Sequence, residues 1–213
     1  LCSQPLPSAM LRERKSLDTM NKHWLHTDDK SDIIASLSML LVALEQARGD
    51  ITMWKWVVIA THGALQGAIA CHLRGVGNNL LVAKQDDAEA WLRAHDQGTA
   101  HPKMMMDWFP NLYDKLKHTE IDGYKFTPQG NQGRSIKKIN EYRNDFVHFM
   151  VNGFSLEISG IPGMCKDCLD VINELDKHTL HVRWRDEAQR AAFRKLLDKC
   201  LESIKGFELE YGT

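Results

Sequence analysis

Apolar residues recur every three or four positions through most of this chain, which is the spacing of α-helices that bury one face. The pattern predicts helices at residues 30–48, 51–74, 86–95, 134–151 and 186–207, and another from Pro162 or Gly163 to about residue 176. A further core-facing region, with Pro110 at its start or break, contains Met104 to Met106, Trp108, Phe109, Leu112, Tyr113 and Leu116. We therefore predict an all-α fold: a helical bundle of four to five main helices with short accessory helices and no sizeable sheet.

The two ends of the chain differ in this pattern. Residues 1–28 are polar, contain prolines and show no helical stripe, so we expect a loosely ordered N-terminal tail. Residues 29–213 carry the helical pattern and suit a single helical-bundle domain. Within it, residues 119–133 are rich in turn formers and predict a long loop, placed to cover a cleft. Residues 154–158 and 179–184 alternate in polarity and predict short extended segments.

The predicted helix at residues 51–74 is apolar on most sides, which indicates a central, buried position. Gly63 and Gly67 belong to a stripe of small residues that lets a neighbouring helix approach closely. His62 and Gln66 are four residues apart and share a face, so we expect a buried hydrogen-bonded pair or, where a pocket exists, two substrate-binding residues facing it. Polar residues interrupt the apolar run well short of about 20 residues, so no membrane contact is expected.

The bulk composition narrows the classes of function. A hydrophobic content of 43% supports a substantial core and argues against global disorder. The net charge of −1 excludes a generally basic nucleic-acid-binding protein, so a nucleic-acid site must be a local patch. The segment from Asp114 to Arg143 contains seven basic and four acidic residues. This excess of basic residues predicts either such a patch or an ordinary solvated surface. Residues 1–16 lack the apolar core of a secretory signal, so we expect a cytoplasmic protein.

The chain has five cysteines, an odd number, and several of them fall on apolar helical faces. This pattern indicates buried thiols in a reducing compartment rather than a disulfide framework. Cys165 and Cys168, followed by His178 and His181, also match the residue types of a zinc site, although the spacing is shorter than that of the usual finger. Both cysteines share an apolar stripe of their helix, so we favour structural thiols and assign no metal site.

The residues with the most specific chemistry are Arg143, Asn144 and His148 in the predicted helix 134–151. Arginine offers a fixed positive charge and a planar fork of donors that suits phosphate. Histidine can take or give a proton near neutral pH. Asn144 and His148 share a helical face, whereas Arg143 and His148 are about 140° apart around a regular helix. We therefore expect the two to converge only if the helix bends or starts there, or if two copies meet across a dimer.

Arg143, Asn144 and His148 resemble the Arg-x(4–6)-His motif of the HEPN superfamily, which favours a polar residue such as asparagine directly after the arginine. The resemblance covers six residues and the helical chain around them. It implies a helical bundle, often a homodimer with both motifs lining one cleft, and in many members a metal-independent ribonuclease with no cofactor. Such members are often toxin or defence proteins, which implies RNA as substrate and a cognate antitoxin protein as regulatory partner.

The resemblance implies catalytic roles for Arg143, Asn144 and His148. We add Lys137 and Lys138, with His62 and Gln66, as candidate substrate-binding residues. Other members of the superfamily only bind, so a noncatalytic helical module for a protein or nucleic-acid partner is the alternative function. In the corresponding structural alternative, Arg143 and Asn144 cap or bridge helices and His148 is a core histidine. Burial of His148 without a cleft would favour that alternative. No phosphate-binding loop, dinucleotide-binding glycine motif, zinc-protease motif or serine-hydrolase motif is present.

Overall fold

The computed structural model describes residues 24, 25, 27–75, 79–148, 153–180 and 183–212. In these residues the fold is all-α, as predicted, with seven α-helices and one short hairpin. The helices are α1 (Asp29–Ala47), α2 (Trp54–Arg74), α3 (Gln85–Asp96), α4 (Phe109–His118), α5 (Gln132–His148), α6 (Ile161–His178) and α7 (Glu187–Tyr211). Strands β1 (Glu120–Ile121) and β2 (Tyr124–Lys125) form the hairpin. Most of the predicted N-terminal tail lies outside the described residues.

Helices α1 and α2 form an antiparallel pair that is joined by a single 3-10 turn, Ile51–Met53. The Asp28 carboxylate caps α1 by accepting from the Ser31 amide at 2.7 Å, and Asp50 caps the turn by accepting from the Thr52 amide at 2.9 Å. The small-residue stripe allows the close approach that the sequence predicts. A Cβ added to Gly67 would lie 2.9 Å from Ile33 Cγ1 of α1, so only glycine fits there without a shift.

Helix α2 is the centre of the core, since it packs against α1, α4, α5 and α6. Together with the preceding turn, residues Ile51–Arg74 are long and apolar enough to cross a membrane by length and composition alone. However, 72% of the most apolar window is buried inside the fold, and a core helix has the same composition. The absence of membrane contact therefore stays a prediction.

The segment at residues 119–133 contains a hairpin that the sequence analysis did not predict. Asp122 and Gly123 form its turn with positive φ angles of 53° and 77°. The hairpin is fixed to α6, because the Tyr124 hydroxyl donates to Glu174 at 2.5 Å and its ring stacks on His178 at 4.0 Å. No residue of this segment lines the 830 Å³ cavity described below, so the predicted loop does not cover that cavity.

Several smaller predictions about packing are wrong. Met105, Met106 and Trp108 were expected in the core, but their exposed fractions are 58%, 42% and 69%. Residues 154–158 contain no strand. Of the segment 179–184, which was also expected to be extended, residues 181 and 182 lie outside the described residues, and the Arg183 amide donates to the Leu180 carbonyl at 2.8 Å.

Candidate active site

An open cavity with a volume of about 830 Å³ lies between α2, α5 and the start of α4. We call it the α2–α5 cavity. It is lined by His62, Gln66, Met106, Asp107, Trp108, Phe109, Pro110, Asn140, Arg143, Asn144, Asp145 and His148. Five of the seven residues that the sequence analysis selected therefore lie on one cavity in a single chain.

Helix α5 places the motif residues on the cavity by its regular geometry. Asn140, Asn144 and His148 follow one another at four-residue intervals, and Arg143 lies beside them, three residues after Asn140. The helix continues without interruption to His148. Arg143 and His148 therefore line one cavity of a single chain on an uninterrupted helix, and their convergence on one substrate stays a prediction. The cavity is wide enough for both flanks of this helical face to line it.

Arg143 is half-buried, and its guanidinium is held by its neighbour. One terminal nitrogen of Arg143 donates to Asn144 Oδ1 at 3.0 Å. The guanidinium forms no ion pair with any residue in the described ranges, although Asp145 lies on the same cavity. The positive charge of Arg143 is thus oriented by a neutral amide and stays available to an anion in the cavity.

His148 is exposed at the C-terminal end of α5 and lines the cavity. No hydrogen-bond partner for its ring lies among the residues that the structure describes. The alternative in which His148 is a satisfied core histidine is therefore wrong. Phe149 and Met150, which belong to the predicted helix 134–151, lie outside the described residues.

His62 is the second histidine of the cavity, but its environment differs. Only 3% of it is exposed, its Nε2 lies 3.1 Å from Asn140 Oδ1, and its ring is 4.3 Å from that of Phe109. Burial lowers the pKa of His62 to about 4 against the opposing hydrogen bond to Asn140, and the charge of Arg143 lowers it further. His62 is therefore neutral at pH 7. Its partner is Asn140 rather than Gln66, and both His62 and Gln66 line the cavity, so the second of the two predicted alternatives is the one found.

Lys137 and Lys138 do not line the α2–α5 cavity. Lys137 lies on an adjoining pocket with Tyr113 and Lys117, whereas Lys138 pairs with Glu141 at 2.9 Å on the far side of α5. The basic run before the motif is divided in the same way. Lys115 and Lys117 pair with Asp107 and Asp114, so the run does not form one continuous patch.

Asn140 and Trp108 are site residues that sequence reasoning missed. Asn140 is four residues before Asn144, so the polar stripe Asn140–Asn144–His148 could have been found by its helical spacing. Trp108 carried no such signal, because a tryptophan among apolar residues predicts core.

The four cysteines in the described residues are buried, as the interpretation of them as structural thiols predicts. Cys71, Cys165, Cys168 and Cys200 are buried free thiols. Cys165 and Cys168 are fully buried in α6, whereas His178 is exposed at the other end of that helix, and His181 lies outside the described residues. No group of three or more metal-ligating side chains occurs in the described part of the chain.

In comparisons with known proteins, no family model, no curated protein and no solved structure matches the chain.

Proposed function

We propose that this protein is a HEPN-like, metal-independent ribonuclease that cleaves RNA by attack of a 2′-hydroxyl on the adjacent phosphate. The observation that carries the proposal is the position of Arg143, Asn144 and His148 on one cavity, with the arginine charge unpaired among the described residues and the histidine exposed. A phosphate binder and a proton-transfer group on one solvent-accessible wall are two of the parts that this reaction requires.

Each residue has a distinct role in the proposed reaction. Arg143 binds a non-bridging oxygen of the scissile phosphate and stabilises the negative charge of the transition state. Asn144 accepts from Arg143 and fixes the direction of the guanidinium fork. His148 takes the proton of the 2′-hydroxyl, whose oxygen then bonds to phosphorus while the bond to the 5′-oxygen breaks. The products are a 2′,3′-cyclic phosphate and a 5′-hydroxyl.

The departing 5′-oxygen also needs a proton. His62 cannot supply it near pH 7, because burial lowers its pKa to about 4 and its ring is neutral. We infer that His148 of a second copy provides this proton in a homodimer, so that one histidine acts as base and the other as acid. The exposed position of His148 at the end of α5 is compatible with such an arrangement.

The test is cleavage of a mixed RNA pool in excess chelator by wild type, Arg143→Ala and His148→Ala. We expect wild type to leave 2′,3′-cyclic phosphate ends and each variant to lose about 100-fold or more in rate. Arg134→Ala and His118→Ala are matched controls, because both residues are exposed and lie away from the cavity. They are expected to cleave at the wild-type rate.

Two results would contradict the proposal. Cleavage that is unchanged in Arg143→Ala and His148→Ala places the activity elsewhere. Absence of cleavage by a folded, dimeric wild type favours the noncatalytic module, which binds a partner through the same cavity. One feature already favours that alternative for a monomer, since a single chain offers the cavity only one exposed histidine among its described residues.

A further inference from the structure

Trp108 is the most exposed aromatic side chain on the α2–α5 cavity. It is 69% exposed, although it directly precedes α4 and the buried Phe109. Met106, which is 42% exposed, lines the same cavity, so the exposed apolar surface here is more than one isolated side chain, and such patches mark binding sites. Trp108 also lines a second groove with Lys84, Asn111 and Lys115. Trp108 therefore forms a ridge between the two depressions.

The backbone that carries Trp108 is held firmly. Asp107, which is 7% exposed, accepts from the Trp108 amide at 2.8 Å, from Asn111 at 2.9 Å and from Lys115 at 2.8 Å. The Asp107 amide donates to the Val82 carbonyl at 2.8 Å. Although burial opposes it, these hydrogen bonds keep the pKa of Asp107 below its usual value. The ionised Asp107 carboxylate therefore fixes the backbone position of Trp108, from which the indole projects.

Positive charge lies near the ring. The Lys84 ammonium lies over one face of the indole, 5.0 Å from the ring centroid, and Lys84 forms no ion pair in the described part of the chain. A base therefore has the opposite face of the indole to stack on. Arg143, which lines the α2–α5 cavity together with Trp108, is similarly without an ion pair among described residues. An exposed aromatic face near cations is an arrangement that binds unpaired nucleotides, because the ring stacks on a base while the cations attract phosphates. A protein partner explains the exposed ring but not the nearby charges.

The acidic residues do not distinguish the two depressions. Asp107 lines both of them and is paired with Lys115, and Asp114 on the groove is paired with Lys117. Asp86 on the groove and Asp145 on the cavity each lack an ion pair among the described residues. The guanidinium of Arg143, with its fork of donors for phosphate, makes the path across the ridge into the α2–α5 cavity the more favourable one.

We propose that Trp108 is a stacking platform for an unpaired nucleobase of the RNA whose phosphate is bound at Arg143. This inference rests on the proposed ribonuclease function and assigns a specificity-determining residue to it. Stacking tolerates every base, so the platform selects unpaired over paired RNA rather than a particular sequence. In a duplex the bases are stacked on each other and the indole has no face to cover.

The experiment measures binding with ligands that cannot be cleaved. Labelled 2′-O-methyl single strands of about 12 nucleotides, abasic strands of the same length and the matching duplex are titrated by fluorescence anisotropy. The proteins are wild type, Trp108→Ala, Trp108→Phe and Trp56→Ala. Trp56 is the matched control, because it is 43% exposed on α2, lies 5.2 Å from the Lys55 ammonium and does not line the α2–α5 cavity.

We expect wild type and Trp56→Ala to bind the base-containing single strand roughly tenfold more tightly than the abasic strand or the duplex. Trp108→Ala is expected to bind all three alike, and Trp108→Phe to recover most of the preference. A thermal melt verifies folding, which the truncation of an exposed ring leaves intact. The inference is overturned if Trp108→Ala keeps the wild-type preference, or if wild type shows no preference or no binding.

Cleavage of unmodified RNA separates the two proposals. A preference that depends on Trp108 without any cleavage supports the platform and removes the ribonuclease function. Cleavage by wild type, combined with equal binding of base-containing and abasic strands, supports the ribonuclease function and removes the stacking platform.

Discussion

The contact between Arg143 and Asn144 joins two side chains that are neighbours in sequence, and it decides the charge of the site. Because the acceptor is a neutral amide, the guanidinium keeps its full positive charge. A carboxylate at the same position would neutralise that charge and compete with a bound phosphate. The identity of residue 144 therefore controls how strongly the cavity attracts an anion.

We predict that Asn144→Asp weakens RNA binding more than Asn144→Ala does. The dependence of log Kd on log salt should decrease by about one unit, as expected when one phosphate contact is lost. Asn173→Asp is a close control, because Asn173 accepts from Arg194 at 2.7 Å in a similar pair between α6 and α7. Equal affinities for the two Asn144 variants would argue against a phosphate at Arg143.

Two buried histidines make the stability of the fold dependent on pH. Burial lowers the pKa of His62 and of His72 from 6.5 to about 4, and nearby arginines act in the same direction. The unfolded chain therefore binds more protons than the folded protein between these values. The free energy of unfolding is therefore unaffected by these histidines above about pH 6.5 and declines as the pH falls toward 4. The aspartates with lowered pKa values act only below about 3.8, in a separate window.

We predict that the unfolding free energy falls by on the order of 2–3 kcal/mol per buried histidine between pH 7 and pH 4. Urea titrations across this range measure the slope. His72→Gln should be less stable than wild type at pH 7, because His72 Nδ1 bonds Thr179 Oγ1 at 2.7 Å, but its slope should be shallower. His118→Gln, with an exposed side chain, should keep the wild-type slope; a slope unchanged in His72→Gln contradicts the assignment.

Among the elements, α2 sets the geometry of the site, because it carries His62 and Gln66 on one face and packs against α1 on another. Its position therefore depends on how closely α1 approaches. That approach is closest at Gly67, opposite Ile33, which is fully buried.

Gly67→Ala is predicted to destabilise the protein by about 1–3 kcal/mol, because the added methyl group overpacks the contact with Ile33. Gly133→Ala is the matched control: its methyl group meets only the Tyr113 hydroxyl at 3.7 Å, an ordinary contact. There the gain in helix propensity leaves stability unchanged or raises it by up to about 1 kcal/mol. Thermal melts of both variants test the pair, and equal effects would exclude overpacking as the cause.

Helices were predictable from this sequence because their periodic apolar faces extend over many residues. The hairpin at Glu120–Lys125 was not, since two-residue strands are too short to show alternation. Its signal was local: Asp122-Gly123 is a dipeptide that favours a two-residue turn with positive φ angles. In the candidate site, Arg143 and His148 were found by their chemistry. Trp108 was misplaced because hydrophobicity alone does not distinguish a core residue from an exposed platform.

At the scale of the whole molecule, the proposed reaction needs two proton-transfer groups, and one chain of 24.3 kDa provides one exposed histidine to the cavity in its described residues. If two copies complete the site, activity depends on their association. The specific activity per chain should then rise with protein concentration and level off once the dimer is fully formed.

We predict that dilution lowers the specific activity in parallel with the dimer fraction measured by light scattering. Mixing an excess of His148→Ala into wild type should lower the activity per wild-type chain below that of wild type alone. Most wild-type chains then pair with a chain that lacks one histidine. An excess of His118→Ala controls for added protein. Specific activity that is constant across the dimer-to-monomer transition would show that a single chain is sufficient.

The four buried thiols give the molecule a built-in reporter of opening. Burial raises the pKa values of Cys71, Cys165 and Cys200 to about 12 and that of Cys168 well above its usual range. A thiol that is both shielded and protonated does not react with an alkylating reagent until the surrounding helices separate. In a Cys2→Ser variant, the rate of alkylation therefore measures how often the bundle opens. Any ligand that stabilises the closed bundle will slow that reaction, without a label and without a catalytic assay.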